Sequence, residues 1–97
     1  MIHILVKLEV RDFSALEVFE RQAAMIMKNH NGRIVSAFET IRKTDGSGEE
    51  IHVLEFPNEE AFTNYRADSS FADLLSLREK AISNTEITIS LSMKSYD

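Results

Sequence analysis

Along the first ten positions apolar residues fall on every second place: Ile2, Ile4, Val6, Leu8 and Val10 share one side, and His3, Leu5, Lys7 and Glu9 the other. A period of two predicts a β-strand over Ile2 to Val10. The period then changes. Leu16, Phe19, Ala23, Ile26 and Met27 recur at helical spacing, and Ser14-Ala15-Leu16-Glu17 has the form of a capping box, so a helix is predicted from Ser14 to about His30. Asn31-Gly32 supplies residues that tolerate the left-handed conformation closing such a helix.

Arg33 to Lys43 and Glu50 to Phe56 read as an antiparallel strand pair joined by the polar, Gly-containing loop from Thr44 to Glu49. After Pro57, Asn58 is placed to cap a short helix through Tyr65, and Ser69 or Ser70 to cap another over Phe71 to Ile82. Alternation returns from Thr85 to Lys94, with Ile87, Ile89, Leu91 and Met93 on one side. The order βαββαβ predicts an α+β, ferredoxin-like domain spanning 1–97. Its four-stranded antiparallel sheet has spatial order 4-1-3-2 and both helical regions on one face.

The helix-covered face is assigned Ile4, Val6 and Leu8, Ile51 and Val53, and Ile87, Ile89 and Leu91. The other face then carries His3, Leu5, Lys7, Phe38, His52, Leu54, Phe56, Thr88 and Ser90. Such a surface is too apolar at its centre to face water, and a twofold copy of the same chain is the simplest cover. A homodimer is therefore expected.

Composition narrows the function classes. The 97 residues are 43% hydrophobic and 28% charged, an ordinary globular balance. Without cysteine there is no disulfide, thiol nucleophile or thiolate metal site, which fits a reducing, cytoplasmic setting. A net charge of −5 with no basic run argues against nucleic acid and anionic membrane as partners, and no apolar stretch approaches the roughly 20 residues of a membrane helix. The first and third strands lack the aromatic and basic residues with which RNA-binding domains of this strand order stack bases.

Arg78 is the main anomaly, because it falls in the middle of the arc made by Phe71, Leu74, Leu75, Ala81 and Ile82. Glu55 has the parity of Ile51 and Val53, so two readings stand: an Arg78–Glu55 ion pair fixing the last helix on the third strand, or an Arg78 that grips an anionic ligand. Tyr65 reads either as a core anchor or as a phenol lining a cavity. His3 and His52 are assigned to the proposed dimer face, at opposite ends of antiparallel strands, and do not make one site within a chain. His30 has its simplest role at the negative end of the first helix. With no HExxH or similar spacing, neither a metal nor another cofactor is expected. The tentative ligand-binding set is Arg78, Tyr65, Glu55, His3 and His52.

The segment EFPNEEAFTNYRADSSFADLLSLR, Glu55 to Arg78, resembles a family of small bacterial proteins, the domain of unknown function numbered thirteen-thirty. The matching positions are Glu55-Phe56-Pro57, Tyr65, Asp68-Ser69, Phe71 and Leu77-Arg78, although the family commonly has Trp at the place of Tyr65 and Pro at that of Ser69. The resemblance implies a dimeric α/β barrel with a cleft between helices and sheet, and no particular activity. Two function classes remain open: a protein that binds or transforms a small polar or anionic organic ligand, and a non-catalytic dimeric interaction module. The second draws on Val18 and Met25, which point away from the core side of the first helix.

Overall fold

A computed structural model describes residues 1–97. Strand β1 (Ile2–Val10) leads into helix α1 (Phe13–Lys28), then strands β2 (Arg33–Arg42) and β3 (Gly48–Phe56). Helix α2 (Glu59–Arg66), a 3₁₀ segment (Ser69–Leu74) and helix α3 (Leu75–Ala81) precede strand β4 (Ile82–Ile89). The sheet order is β2-β3-β1-β4, with every pairing antiparallel, as the element order predicts.

Local chemistry sets the boundaries. Helix α1 starts before the expected Ser14 cap, because the Asp12 carboxylate accepts the Ser14 amide and Phe13 is already buried. Its end is as expected: Asn31 takes a positive φ of 60° and the Gly32 amide returns to the Met27 carbonyl. Gly32 is required for a further reason, since a Cβ there would sit 2.3 Å from the Phe56 ring. Asn58 caps α2 through the Ala61 amide, as its position predicts. Beyond it, Asp68 rather than either serine caps the next turn, and what reads as one helix is a 3₁₀ segment followed by two turns of α-helix. Strand β4 stops at Ile89, which pairs with Ile4. His3 bonds Ser90 through both of its backbone polar groups, and Leu91, expected on the covered face, is fully exposed.

The largest correction concerns β3. Ile2 lies opposite Phe56, Ile4 opposite Leu54 and Val6 opposite His52, so Phe56, Leu54, His52 and Glu50 face the helices. Ile51, Val53 and Glu55 take the open face, the reverse of the expected assignment. A one-residue change of parity moves every side chain of a strand across the sheet. Both sets of β3 are apolar, so alternation alone does not choose between them. The bulk of Leu54 and Phe56 decides: Phe56 fills the gap left by Gly32 and meets Phe62 and Tyr65 at ring-centroid distances of 5.3 and 5.4 Å. With Ile4, Leu16 and Met27, Phe56 is among the largest fully buried side chains. Each contributes roughly 1.5–3 kcal/mol by leaving water.

Candidate functional site

Between the helices and the sheet lies a cleft of about 590 Å³. The register explains its floor. On the covered face, His52, Val6 and Ile87 form one transverse row, and Glu50, Leu8 and Thr85 form the next. Phe19 and Met27 of α1, Phe62 and Tyr65 of α2, and Phe71 add apolar walls, while Arg66, Arg78, Ser83 and Asn84 supply a polar margin.

Three charged elements converge on this cleft. From β3 comes His52, with only 3% of its surface exposed. Its Nε2 lies 2.5 Å from Glu50 Oε2, on the same face two residues earlier. Its Nδ1 is directed at Glu20 of α1, 3.9 Å away. Arg78 of α3 completes the group, its guanidinium donating to the Thr85 hydroxyl at 3.2 Å. Burial pushes the Glu20 carboxyl above the ordinary carboxylate range; His52 pulls against this shift, Glu50 adds to it and Arg78 opposes it. Tyr65 is pushed up as well, by burial and then by the charge of Glu20, so its phenol stays protonated and able to donate. A carboxyl that burial makes more basic, a donor phenol and a guanidinium around an apolar hollow can bind an organic anion and move a proton on it. No group of three or more His, Asp or Glu side chains is arranged to hold a metal ion.

Of the residues singled out from sequence, Arg78, Tyr65 and His52 line the cleft. Glu55 and His3 do not. They face the other side of the sheet, where Glu55 accepts from Arg33 Nε at 3.0 Å and lies 3.2 Å from His3 Nε2. The suggested Arg78–Glu55 pair is therefore not formed: the register places the sheet between them, and Arg78 lies within the field of Glu20 instead. His52 belongs to the cleft and not to the open face, which also separates it further from His3. His30 has a partner of its own, Asp68 Oδ2 at 2.7 Å, which ties the end of α1 to the turn after α2. That contact and the Ser70 amide hold Asp68 down at about 2.

Glu20 and Glu50 are absent from the sequence-based set. Glu20 left a legible signal, since it lies four residues after Leu16, three before Ala23 and seven before Met27, inside the apolar stripe. Glu50 shares the parity of His52, a signal that becomes readable once the face of β3 is known.

An antiparallel sheet with helices packed on one side, in βαββαβ order, defines a ferredoxin-like α+β protein with a helix–sheet cleft. Residues 2–91 match the family described as Domain of unknown function (DUF1330), and the chain belongs to it. No curated protein matches in sequence. Among solved structures, the chain is similar to SnoaB, a cofactor-independent oxygenase from Streptomyces nogalater, at 12% identity and a TM-score of 0.72, over 98% of this chain and 95% of that one. A protein of unknown function from Rhodopseudomonas palustris aligns at 17% identity and a TM-score of 0.75, over 97% and 83%. An uncharacterised NIPSNAP-like domain protein from Burkholderia xenovorans aligns at 19% and 0.67, over 99% and 87%. These likenesses establish the fold. No helix is long and apolar enough to cross a membrane.

Proposed function

We propose that the chain binds a small organic anion with an apolar body in the helix–sheet cleft and acts on it there. The observation that carries this reading is the convergence of Arg78, Tyr65, His52 and Glu20 on one hollow whose remaining lining is largely apolar. Arg78 is the anion grip, and Tyr65 is a neutral donor in the same cleft. The same fold houses a cofactor-independent oxygenase, so chemistry without a cofactor lies within reach of this architecture. The test is a thermal-shift screen of carboxylates, followed by titration of each hit against Arg78→Ala. A loss of affinity on the order of tenfold or more is expected for removal of a charge-assisted contact. Unchanged affinities for every hit would remove Arg78 from the site and the reading with it.

The assembly proposal is a homodimer through the open sheet face. Leu5, Phe38 and Ile41 are 47%, 56% and 48% exposed there, beside Ile51 and Val53. Ion-pair groups flank this band, His3 with Glu55 and Arg33 at one end and Lys7 with Glu49 and Glu86 at the other. A twofold copy would bury the apolar centre and leave the charges at the rim. Folding and association would then be coupled, and the melting temperature would rise with protein concentration. Light scattering that found a stable monomer at micromolar concentration would overturn it.

A further inference from the structure

We infer that Glu20 is the proton-transferring group of the cleft, and that its substrate is a 2-oxo acid with an apolar body, enolised at the carbon next to the ketone. The inference rests on the anion-site reading above and deepens it.

Glu20 sits among ionisable groups from several elements. Its carboxylate lies within electrostatic reach of His52 and Glu50 on β3, Arg78 on α3 and Tyr65 on α2, the titratable groups that face it from the three elements packed against it. Of these, His52 sits at the floor, its Nε2 hydrogen-bonded to Glu50 and its Nδ1 3.9 Å from Glu20. With Nε2 hydrogen-bonded to Glu50 and only 3% of the residue exposed, the imidazole is less open to a ligand than Glu20. Glu20 lines the cleft, and one fifth of its side chain is exposed. His52 is therefore a positioning residue, which stands beside the Glu20 carboxyl and opposes the effect of its burial, and Glu50 fixes the imidazole in turn.

The substrate class follows from the complementary groups. Arg78 at the polar margin suits a carboxylate, the Tyr65 phenol suits a carbonyl oxygen that gains charge, and the apolar lining takes a hydrocarbon or aryl body. A ketone next to the carboxylate places both oxygens at one end of the molecule, toward Arg78 and Tyr65, and the adjacent C–H toward Glu20. In the step, a Glu20 oxygen takes the C3 proton as the C–H pair becomes the C2–C3 double bond and the carbonyl π pair moves to oxygen. The enolate oxygen is held by the Tyr65 hydroxyl. Return of the proton from Glu20 to C3, after exchange with solvent, restores the ketone. Nothing is oxidised or reduced, and no further reactant is required.

The probes are phenylpyruvate and 2-oxooctanoate, which present a flat and an extended apolar body on the same 2-oxo acid end. Replacement of their C3 protons by deuterium is followed by proton NMR in heavy water, with binding measured separately by calorimetry. The unmodified protein is expected to accelerate exchange over buffer. Glu20→Gln, nearly isosteric, is expected to retain binding and to lower the rate on the order of a hundredfold or more, as removal of a general base does. Arg78→Ala should raise KM more than it lowers kcat. His52→Gln should move the rising limb of the pH–rate profile to higher pH, because His52 draws the Glu20 proton off; a purely structural role would not shift that limb. Binding of both probes without acceleration would overturn the inference while leaving the anion site standing, and so would a Glu20→Gln protein as active as the parent. Binding of neither probe would fell the inference together with the anion-site reading.

Discussion

A histidine–glutamate contact occurs on each face of the sheet, and the two behave in opposite ways. On the open face His3 meets Glu55 at 3.2 Å, and the carboxyl is held below its ordinary range, first by the hydrogen bond from Arg33 and also by His3. Under the helices His52 lies 3.9 Å from Glu20, and that carboxyl is held above its ordinary range because burial outweighs the attraction of His52 and Arg78. Residue pairing is the same; the leading influence differs, a direct hydrogen bond from Arg33 on the open face and desolvation under the helices. The comparison teaches that the pair type does not mark the reactive site, whereas desolvation inside a cleft does.

The strongest way to break the comparison uses neighbours on β3. Leu54 is 5% exposed and faces the helices, whereas Val53 faces the open side. Leu54→Asp would place an unpaired charge in the core and should abolish folding, since such burial costs several kcal/mol against a total stability of about 5–15 kcal/mol. Val53→Asp should leave circular dichroism intact and shift light scattering toward monomer. If both substitutions unfold the chain alike, the two faces are not separable and the open face is part of one cooperative core.

Next in size is the contact between Phe56 and Gly32. Phe56→Ala removes a fully buried ring and should cost about 3–5 kcal/mol in urea unfolding. Gly32→Ala drives a methyl group into the same ring and should cost roughly 1–3 kcal/mol. In the double variant the ring that clashes is gone, so the Gly32 cost should largely disappear. Simple additivity of the two would show that the close approach carries no energy.

These residues also show how much was legible in the sequence. The element order, the sheet order and the Asn58 cap followed from periodicity and capping chemistry alone. The face of β3 did not, because GEEIHVLEF is apolar on both parities and the choice is made by tertiary packing, through a glycine in another strand–helix connection. That single ambiguity carried errors into the site: it paired Glu55 with Arg78, placed His52 on the open face and hid Glu50. Arg78 and Tyr65 were legible because each breaks or borders an apolar helical arc independently of β3. Glu20, on the stripe of Leu16, Ala23 and Met27, carries the same signal but is missing from the sequence-based set.

Smaller in energy, and sharper as a test of the comparison, is Glu20→Gln. A carboxyl whose folded-state value is raised above 4.5 contributes stability that is fully present below that ordinary value and is lost as pH rises through the folded value. At neutral pH the ionised Glu20 is thus held at a cost that a neutral amide removes. Glu20→Gln should melt higher than the parent at pH 7, with the gain vanishing toward pH 4. A lower melting temperature at pH 7 would mean that attraction to His52 and Arg78 outweighs burial, and the contrast between the two faces would collapse.

The smallest effect is expected from Glu55→Gln, and its sign should be opposite. Glu55 is held below 4.5 in the folded chain, with the Arg33 hydrogen bond as the main cause, so its contribution is present above the ordinary value and is lost as pH falls through the folded one. Arg33 is largely exposed, which leaves the pair open to screening by salt. Glu55→Gln should therefore melt slightly lower than the parent at pH 7, the difference should close as the solution is acidified below about pH 4.5, and added salt should shrink it. Salt should change the Glu20→Gln difference less, because the main influence on that carboxyl is desolvation and not attraction to a neighbouring charge. Melting curves of the two variants at low and high ionic strength, at pH 7 and pH 4, set the four cases side by side. Salt sensitivity in the Glu20 variant alone would mean that neighbouring charges and not desolvation govern Glu20, and would reverse the comparison.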